Sequence, residues 1–252
     1  MWDEFAIFVF VGFLAQLIDS TLGMGYGVTS TSFLLGIGTP PAIASANVHC
    51  AEIFTTGFSG LSHLKFGNID REIFKKLLLP GVLGGILGAY VLTSIPTKLI
   101  QPFVACYLLV MGIRIIYKTF QKTNPKPVKA NLSLLGLIGG FLDSIGGGGW
   151  GPVVTSSLVS KGNEPRFSIG SANAVEFFVT LAQSATFFVL IGLGSLKIAV
   201  CLVFGGLIAA PLSGYICQKL PSKLMMRLVG LMLTVLSIGN ASKVIYLLNT
   251  SK

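Results

Sequence analysis

Charge is scarce in this chain. Lysine and arginine number 18 and aspartate and glutamate only 9, so charged residues make up 11% of the 252 positions. A soluble domain clothes its surface with about 25% charged residues, so this composition excludes one. Histidine occurs twice, and the four cysteines, Cys50, Cys106, Cys201 and Cys217, stand in or beside apolar runs without CxxC or metal spacing. That pattern predicts small core residues and neither a disulfide framework nor a metal centre. No cofactor is expected. The first ten residues, MWDEFAIFVF, lack the basic n-region and small-residue cleavage site of a signal peptide. The longest polar stretch is Lys118–Asn131, too short for a soluble domain. No Walker sequence, HExxH or GxSxG appears, which argues against ATP-driven transport and against common hydrolases.

What the chain has instead is apolar length. Hydrophobic residues make up 52% of it, and the mean hydropathy is +0.81. Ten apolar segments follow one another: Glu4–Leu22, Val28–Gly38, Ala42–Leu64, Ile73–Ser94, Leu99–Tyr117, Leu132–Ile145, Pro152–Ser160, Phe167–Gly192, Leu196–Cys217 and Leu224–Leu248. This predicts an all-α polytopic membrane protein of the cell membrane, with the lipid bilayer as its surroundings. The net charge of +9 lies between the apolar segments, where it orients loops and does not form a nucleic-acid surface. The composition leaves a homo-oligomer open.

Two stretches nearly repeat: DSTLGMGYG at Asp19–Gly27 and DSIGGGGWG at Asp143–Gly151, 124 residues apart. Glu52 and Glu176 share the offset, and AYVLTSIPTKL (89–99) matches GYICQKLPSKL (214–224). The chain therefore reads as a duplication, with a first membrane repeat at 1–120, a basic linker at 121–131 and a second repeat at 132–252. Paired glycine-rich interruptions in the two halves of a transporter point to its binding site. Non-helical backbone survives at membrane depth only where protein or a wet cavity covers it.

The short runs decide the topology. Val28–Gly38 spans roughly half of a 30 Å hydrocarbon core at about 1.5 Å per residue. Either it completes a broken crossing, giving parallel repeats, or it folds back as a hairpin, giving inverted repeats. Under the hairpin reading only Lys98, Lys197, Lys243 and Lys252 face away from the other basic residues. The positive-inside rule then favours two inverted repeats, each a re-entrant helical hairpin plus three transmembrane helices, with both termini outside.

The stretches GFLDSIGGGGWGPVVTSSL (140–158) and IGSANAVEFFVT (169–180) resemble the TauE/SafE family of membrane anion permeases. The weaker copy AQLIDSTLGMGYGVTSTSF (15–33) sits where that family's first repeat belongs, so the resemblance covers essentially the whole chain. It implies a transporter, in a family associated with export of sulfite and small organosulfonates, whose partner is a small anionic solute.

Inverted hairpins would bring two tips together near the midplane, with short helices starting at Val28 and Pro152 and their N-termini facing the centre. Such N-termini favour an oxyanion. The substrate-binding candidates are Gly25, Gly27, Thr29, Ser30, Gly149, Trp150, Gly151, Thr155 and Ser156, with Asn47 and Asn173 of the two SAN motifs. Those motifs recur at an offset of 126, out of step with the glutamates. Small residues serving only close packing are the plainer alternative. Trp150 and Tyr26 occupy equivalent places, as gates or as space fillers.

Four acids remain. Glu52 and Glu176 fall near mid-segment, and Asp19 and Asp143 just precede the breaks. An ionised acid at the bilayer centre costs about 2.5–3.5 kcal/mol on the lenient scale, so each must be neutral, paired or facing a wet cavity. The glutamates are the leading proton-coupling candidates, joined by His49, which is three residues from Glu52 and so on its helical face. The aspartates serve coupling or simply hold the broken backbone. The expectation is a secondary transporter of a small oxyanion working by alternating access. An anion channel, a transporter of a cation bound by the acids, and an intramembrane enzyme are the alternatives.

Overall fold

Proline and glycine set the helix boundaries. The computed structural model of the chain describes residues 2–22, 24–120, 131–160, 165–192 and 196–219. It also describes 224, 227–228, 230–232, 234–239 and 242. The linker at 121–130 and much of the tenth segment, Leu224–Leu248, lie outside the described residues, although those described within the tenth are helical.

The first half contains α1 (Trp2–Leu22), α2 (Tyr26–Gly36), α3 (Pro41–Lys65), α4 (Arg71–Ser94) and α5 (Thr97–Lys118). The second contains α6 (Leu132–Gly146), a π-helical turn (Gly151–Thr155) running into α7 (Ser156–Ser160), then α8 (Pro165–Ile191) and α9 (Leu196–Lys219). No strand occurs among the described residues. The short helices start at Tyr26 and Gly151, slightly earlier than Val28 and Pro152, because carboxylates upstream take up their first N–H groups, as described below. Gly25, with φ 122°, and Gly147, with φ 63°, supply the left-handed turns just before them. Asp70 caps α4, its Oδ1 accepting from the backbone N–H of Glu72 and Ile73 at 2.8 and 3.0 Å.

The outer surface is apolar as well as the core. Phe58 is 65% and Val189 80% exposed, while fully buried Thr29, Ser30, Ser45, His49 and Asp143 sit among buried apolar residues such as Val28, Leu34 and Leu202. Apolar side chains on the outside and polar ones kept inside suit a protein whose solvent is lipid. Helices α4, α5 and the Arg166–Ile191 part of α8 are long and apolar enough to cross a membrane. The cysteines follow this order only in part. Cys201 is buried and Cys50 half-buried, but Cys106 is exposed on the outer face of α5 rather than in the core, and Cys217 has no described side chain.

Glycines govern the helix pairing. On the α4–α6 face, Gly136 packs against Leu77 and Gly140 against Gly81 and Gly85, so the two helices run in the same direction. In the same sense, Gly12 packs on Leu202 and Gly206 lies beside Gln16, joining α1 to α9. The first helix of each half thus packs on the fourth element of the other. Helices α3 and α8 run oppositely, since Gly57 meets Phe177 and Gly60 meets Ala174. Such small-residue contacts let backbones approach closely, which is how membrane helices associate without a hydrophobic drive.

Candidate functional site

Each glycine-rich break is fastened by its aspartate. Asp143 Oδ1 accepts the backbone N–H groups of Gly149 at 2.6 Å and Trp150 at 2.9 Å. Asp19 Oδ1 accepts the N–H of Tyr26 at 3.4 Å. Tyr26 and Trp150 are counterparts at the 124-residue offset, as are the two aspartates. The aspartates therefore do hold the broken backbone, and they occupy N–H donors that the sequence assigned to a solute.

The two tips meet. A β-carbon on Gly27 would collide with Gly148, and one on Gly151 would lie 2.6 Å from Cβ of Met24. These contacts are equivalent, because Gly151 is the counterpart of Gly27 and Gly148 that of Met24. Thr31 Oγ1 donates to the carbonyl of Gly147 at 2.7 Å and ties the tips together. A β-carbon on Gly149 would strike the Tyr107 hydroxyl. In this conformation the tip glycines are small because protein fills the space beside them.

Glu52 of α3 reaches the same point. A β-carbon on Gly27 would be 2.8 Å from its Oε1, and the Gly27 N–H donates to its carboxylate. Glu52 is 3% exposed, and its Oε2 finds no partner among the described residues. Glu176, its counterpart on α8, is half-buried, and protein contacts at Gly151 come from Met24 and Gly25 instead.

His49 bonds with the opposite half, not with Glu52 on its own helix. Its Nε2 lies 3.2 Å from Asp143 Oδ2, which also accepts from Gln183 Nε2 at 2.9 Å. Its Nδ1 lies 2.7 Å from the carbonyl oxygen of Ser45. A carbonyl only accepts, so Nδ1 carries a hydrogen. Asp143 thus accepts from three groups, the N–H of Gly149, the N–H of Trp150 and the Gln183 amide, with His49 Nε2 as its fourth neighbour. The Nε2–Oδ2 contact is a hydrogen bond between two buried titratable side chains. The counterparts of His49 and Gln183 are Asn173 and Ser59, which bond each other at 2.8 Å. One half thus has a histidine–aspartate contact where the other has an asparagine–serine bond.

The structure separates the remaining candidates. Asn47 Oδ1 accepts the N–H of Ala199 at the start of α9, at 3.0 Å, while Ser171 Oγ accepts that of Asp70 at the start of α4, at 2.8 Å. Asn47 and Ser171 are separated by the 124-residue offset, which accounts for the slipped SAN motif. Trp150 is fully buried, with Nε1 donating to Ala172 at 3.1 Å. Tyr26 donates to Leu202 at 3.2 Å. Both aromatics are anchored fillers in this conformation. Ser156 Oγ donates to the Pro152 carbonyl, whereas the hydroxyls of Thr29, Ser30, Ser32 and Thr155 are buried without a partner among the described residues. Gln183 and Tyr107 were missed by the sequence reading. Gln183's only signal was a polar side chain inside a long apolar segment.

Known proteins agree with this picture. Residues 8–239 match the family described as sulfite exporter TauE/SafE. A probable membrane transporter protein, YtnM of Bacillus subtilis, is 42% identical over 89% of this chain and 78% of its own length. A probable membrane transporter protein, ORF9 of a Sinorhizobium species, is 26% identical over 80% of this chain and 74% of its own. Another, from Haemophilus influenzae, is 25% identical over 73% of this chain and 74% of its own. No solved structure matches. With the family match running almost end to end over a chain whose outer surface is apolar, the chain belongs to the sulfite exporter TauE/SafE family of membrane transporters.

Proposed function

We propose that the chain is a secondary transporter that moves a small oxyanion, sulfite or organosulfonate-like, by alternating access with proton coupling. The observation that carries this reading is the equivalent crossing of the two tips, Gly27 on Gly148 and Gly151 on Met24. Four buried hydroxyls without a partner among the described residues, on Thr29, Ser30, Ser32 and Thr155, flank that crossing in sequence. Two interlocked halves can part on either side in turn, and a site between them is then open to one side at a time. A channel needs a continuous path, whereas here each tip fills the other's space.

The inverted arrangement draws support from helix direction. If each half crossed the membrane four times, α3 and α8 would run the same way. Five segments per half, with α2 and α7 returning as hairpins, make them run oppositely, as the Gly57–Phe177 and Gly60–Ala174 contacts do. Repeats at 1–120 and 132–252, joined by 121–131, fit that count.

The test is thermal stabilisation of purified protein by sulfite, thiosulfate, small sulfonates, carboxylates and metal cations, followed by flux in proteoliposomes. A ligand that binds only the folded state raises stability by mass action. Stabilisation by anions, with saturable and pH-gradient-dependent flux, is the expected result. Stabilisation by cations alone would move the acids into the substrate site, and ohmic current would make the protein a channel.

A further inference from the structure

Glu52 holds a tip amide as a solute would. The Gly27 N–H, in the first turn of the 11-residue helix α2, donates to the Glu52 carboxylate. Its second oxygen, Oε2, is buried without a partner among the described residues, and so are the hydroxyls of Thr29 and Ser30 two and three residues further along α2. The carboxylate is therefore an oxyanion delivered by the chain itself, with unfilled polar groups at hand for one delivered from outside.

We propose that Glu52 and the transported oxyanion compete for the Gly27 amide, so that the solute enters only as Glu52 takes up a proton and swings off. This rests on the oxyanion reading above and supplies its coupling step. The argument is one of charge. Asp19 of α1, Tyr26 of α2, Asp143 of α6 and Glu176 of α8 all lie within electrostatic range of Glu52, with His49 on its own helix already committed to Asp143. An ionised Glu52 and a bound anion at the same amide would place two uncompensated charges in a dry site, where like charges repel strongly. When Glu52 is neutral, a monoanion can take its place and leave the site's net charge unchanged. A neutral carboxyl is also the weaker acceptor of an amide hydrogen. The second half does not duplicate this latch, because Gly151 is met by Met24 and Gly25, not by Glu176. The competition belongs to one tip.

The experiment measures binding of methanesulfonate and ethanesulfonate, both monoanions over the whole range, to the purified full chain from mildly acidic to mildly alkaline pH, by titration calorimetry and thermal shift. The proteins are wild type, Glu52→Gln and Glu176→Gln. In the wild type, affinity should fall by about tenfold per pH unit once Glu52 ionises, one proton being linked to each anion bound. Glu52→Gln imitates the protonated state, so it should bind about as tightly as acidic wild type at every pH. Glu176→Gln should keep the wild-type slope. Anion binding whose slope persists in Glu52→Gln, or that this variant loses, overturns the competition and leaves the oxyanion reading standing. If neither anion binds the wild type at any pH while cations do, the oxyanion reading itself fails and the competition falls with it.

Discussion

His49 and Asp143 face each other across the two halves, Nε2 to Oδ2 at 3.2 Å, with both side chains buried. The pair joins α3 of the first half to the hairpin of the second. Its counterpart positions, Asn173 and Asp19, carry no such pair: Asn173 turns to Ser59, and Asp19 accepts from Tyr26 at 3.4 Å. The two glycine-rich breaks are therefore held unequally, one by a histidine–aspartate contact and the other without one.

That inequality is measurable. Removing one member of a buried hydrogen-bonded pair leaves the other unsatisfied, at a cost of about 1–3 kcal/mol, and more where a charge is left behind. His49→Ala and Asp143→Asn should each destabilise the purified protein by an amount of that order. Asp143→Asn also turns an amide N–H2 or a single oxygen toward donors that four bonds now satisfy. The double variant should lose less than the two single losses added, with a coupling of about 1–3 kcal/mol in a double-mutant cycle of unfolding. Asp19→Asn should be much milder. Additive losses for His49 and Asp143 would show that the pair is incidental.

The tip glycines give a second test. Gly148 has φ 147°, and any β-carbon there would fall on the backbone of Gly27 and Val28. Both faults lie in rigid main chain, so Gly148→Ala should cost at least about 2 kcal/mol and lower the unfolding temperature. Gly239 has open space around its position and helical backbone, so Gly239→Ala should be neutral or stabilising by up to about 1 kcal/mol. Equal effects would mean that the tips do not interlock as described. Gly149→Val should abolish flux while the protein remains in the membrane, since its side chain would displace the Tyr107 hydroxyl.

Much of this was legible in the sequence because duplication writes itself twice. The offset of 124 pairs the two breaks, their aspartates and the two glutamates, and helix ends fell within a few residues of the apolar boundaries. What stayed hidden was which half each side chain serves. His49 sits three residues from Glu52, so helix spacing suggested a local pair, yet its ring reaches Asp143, 94 positions away. Gln183 joins the same carboxylate from α8. Only packing of α3, α6 and α8 brings the three together, and no periodicity encodes that. The SAN slip is the opposite case. The offset already aligned Asn47 with Ser171, but a matched tripeptide drew attention to Asn173. The glycines were visible as a pattern, but what they accommodate in this conformation, the partner tip, was not.

Topology can be checked without knowing the solute. With α3 and α8 running oppositely and most basic residues on one side, both termini should face away from the cytoplasm. Reporter fusions at each end, together with cysteine labelling on the 66–70 turn between α3 and α4, should place the ends outside and the turn inside. A cytoplasmic C-terminus with an outside N-terminus would sink the five-plus-five count. The turn is a useful anchor because Asp70 and Ser171 bind there, so its side also fixes that of the start of α8.

Coupling is the last expectation, and the two glutamates should not behave alike. Glu52 is 3% exposed and bonded to the Gly27 amide; Glu176 is half-buried on the facing helix. Glutamine keeps the shape and the acceptor oxygen but cannot ionise, so Glu→Gln separates proton transfer from packing. In proteoliposomes, Glu52→Gln should still exchange solute between the two sides but no longer accumulate it in response to an imposed pH gradient. Glu176 is taken as the station through which the proton leaves, so Glu176→Gln should slow gradient-driven transport by about tenfold or more, a positioned acid–base group typically contributing about 10²–10⁴-fold. Wild-type gradient dependence in both variants would make the glutamates structural, and the search for the proton would pass to Asp19, whose carboxylate makes one long contact, with Tyr26, among the described residues.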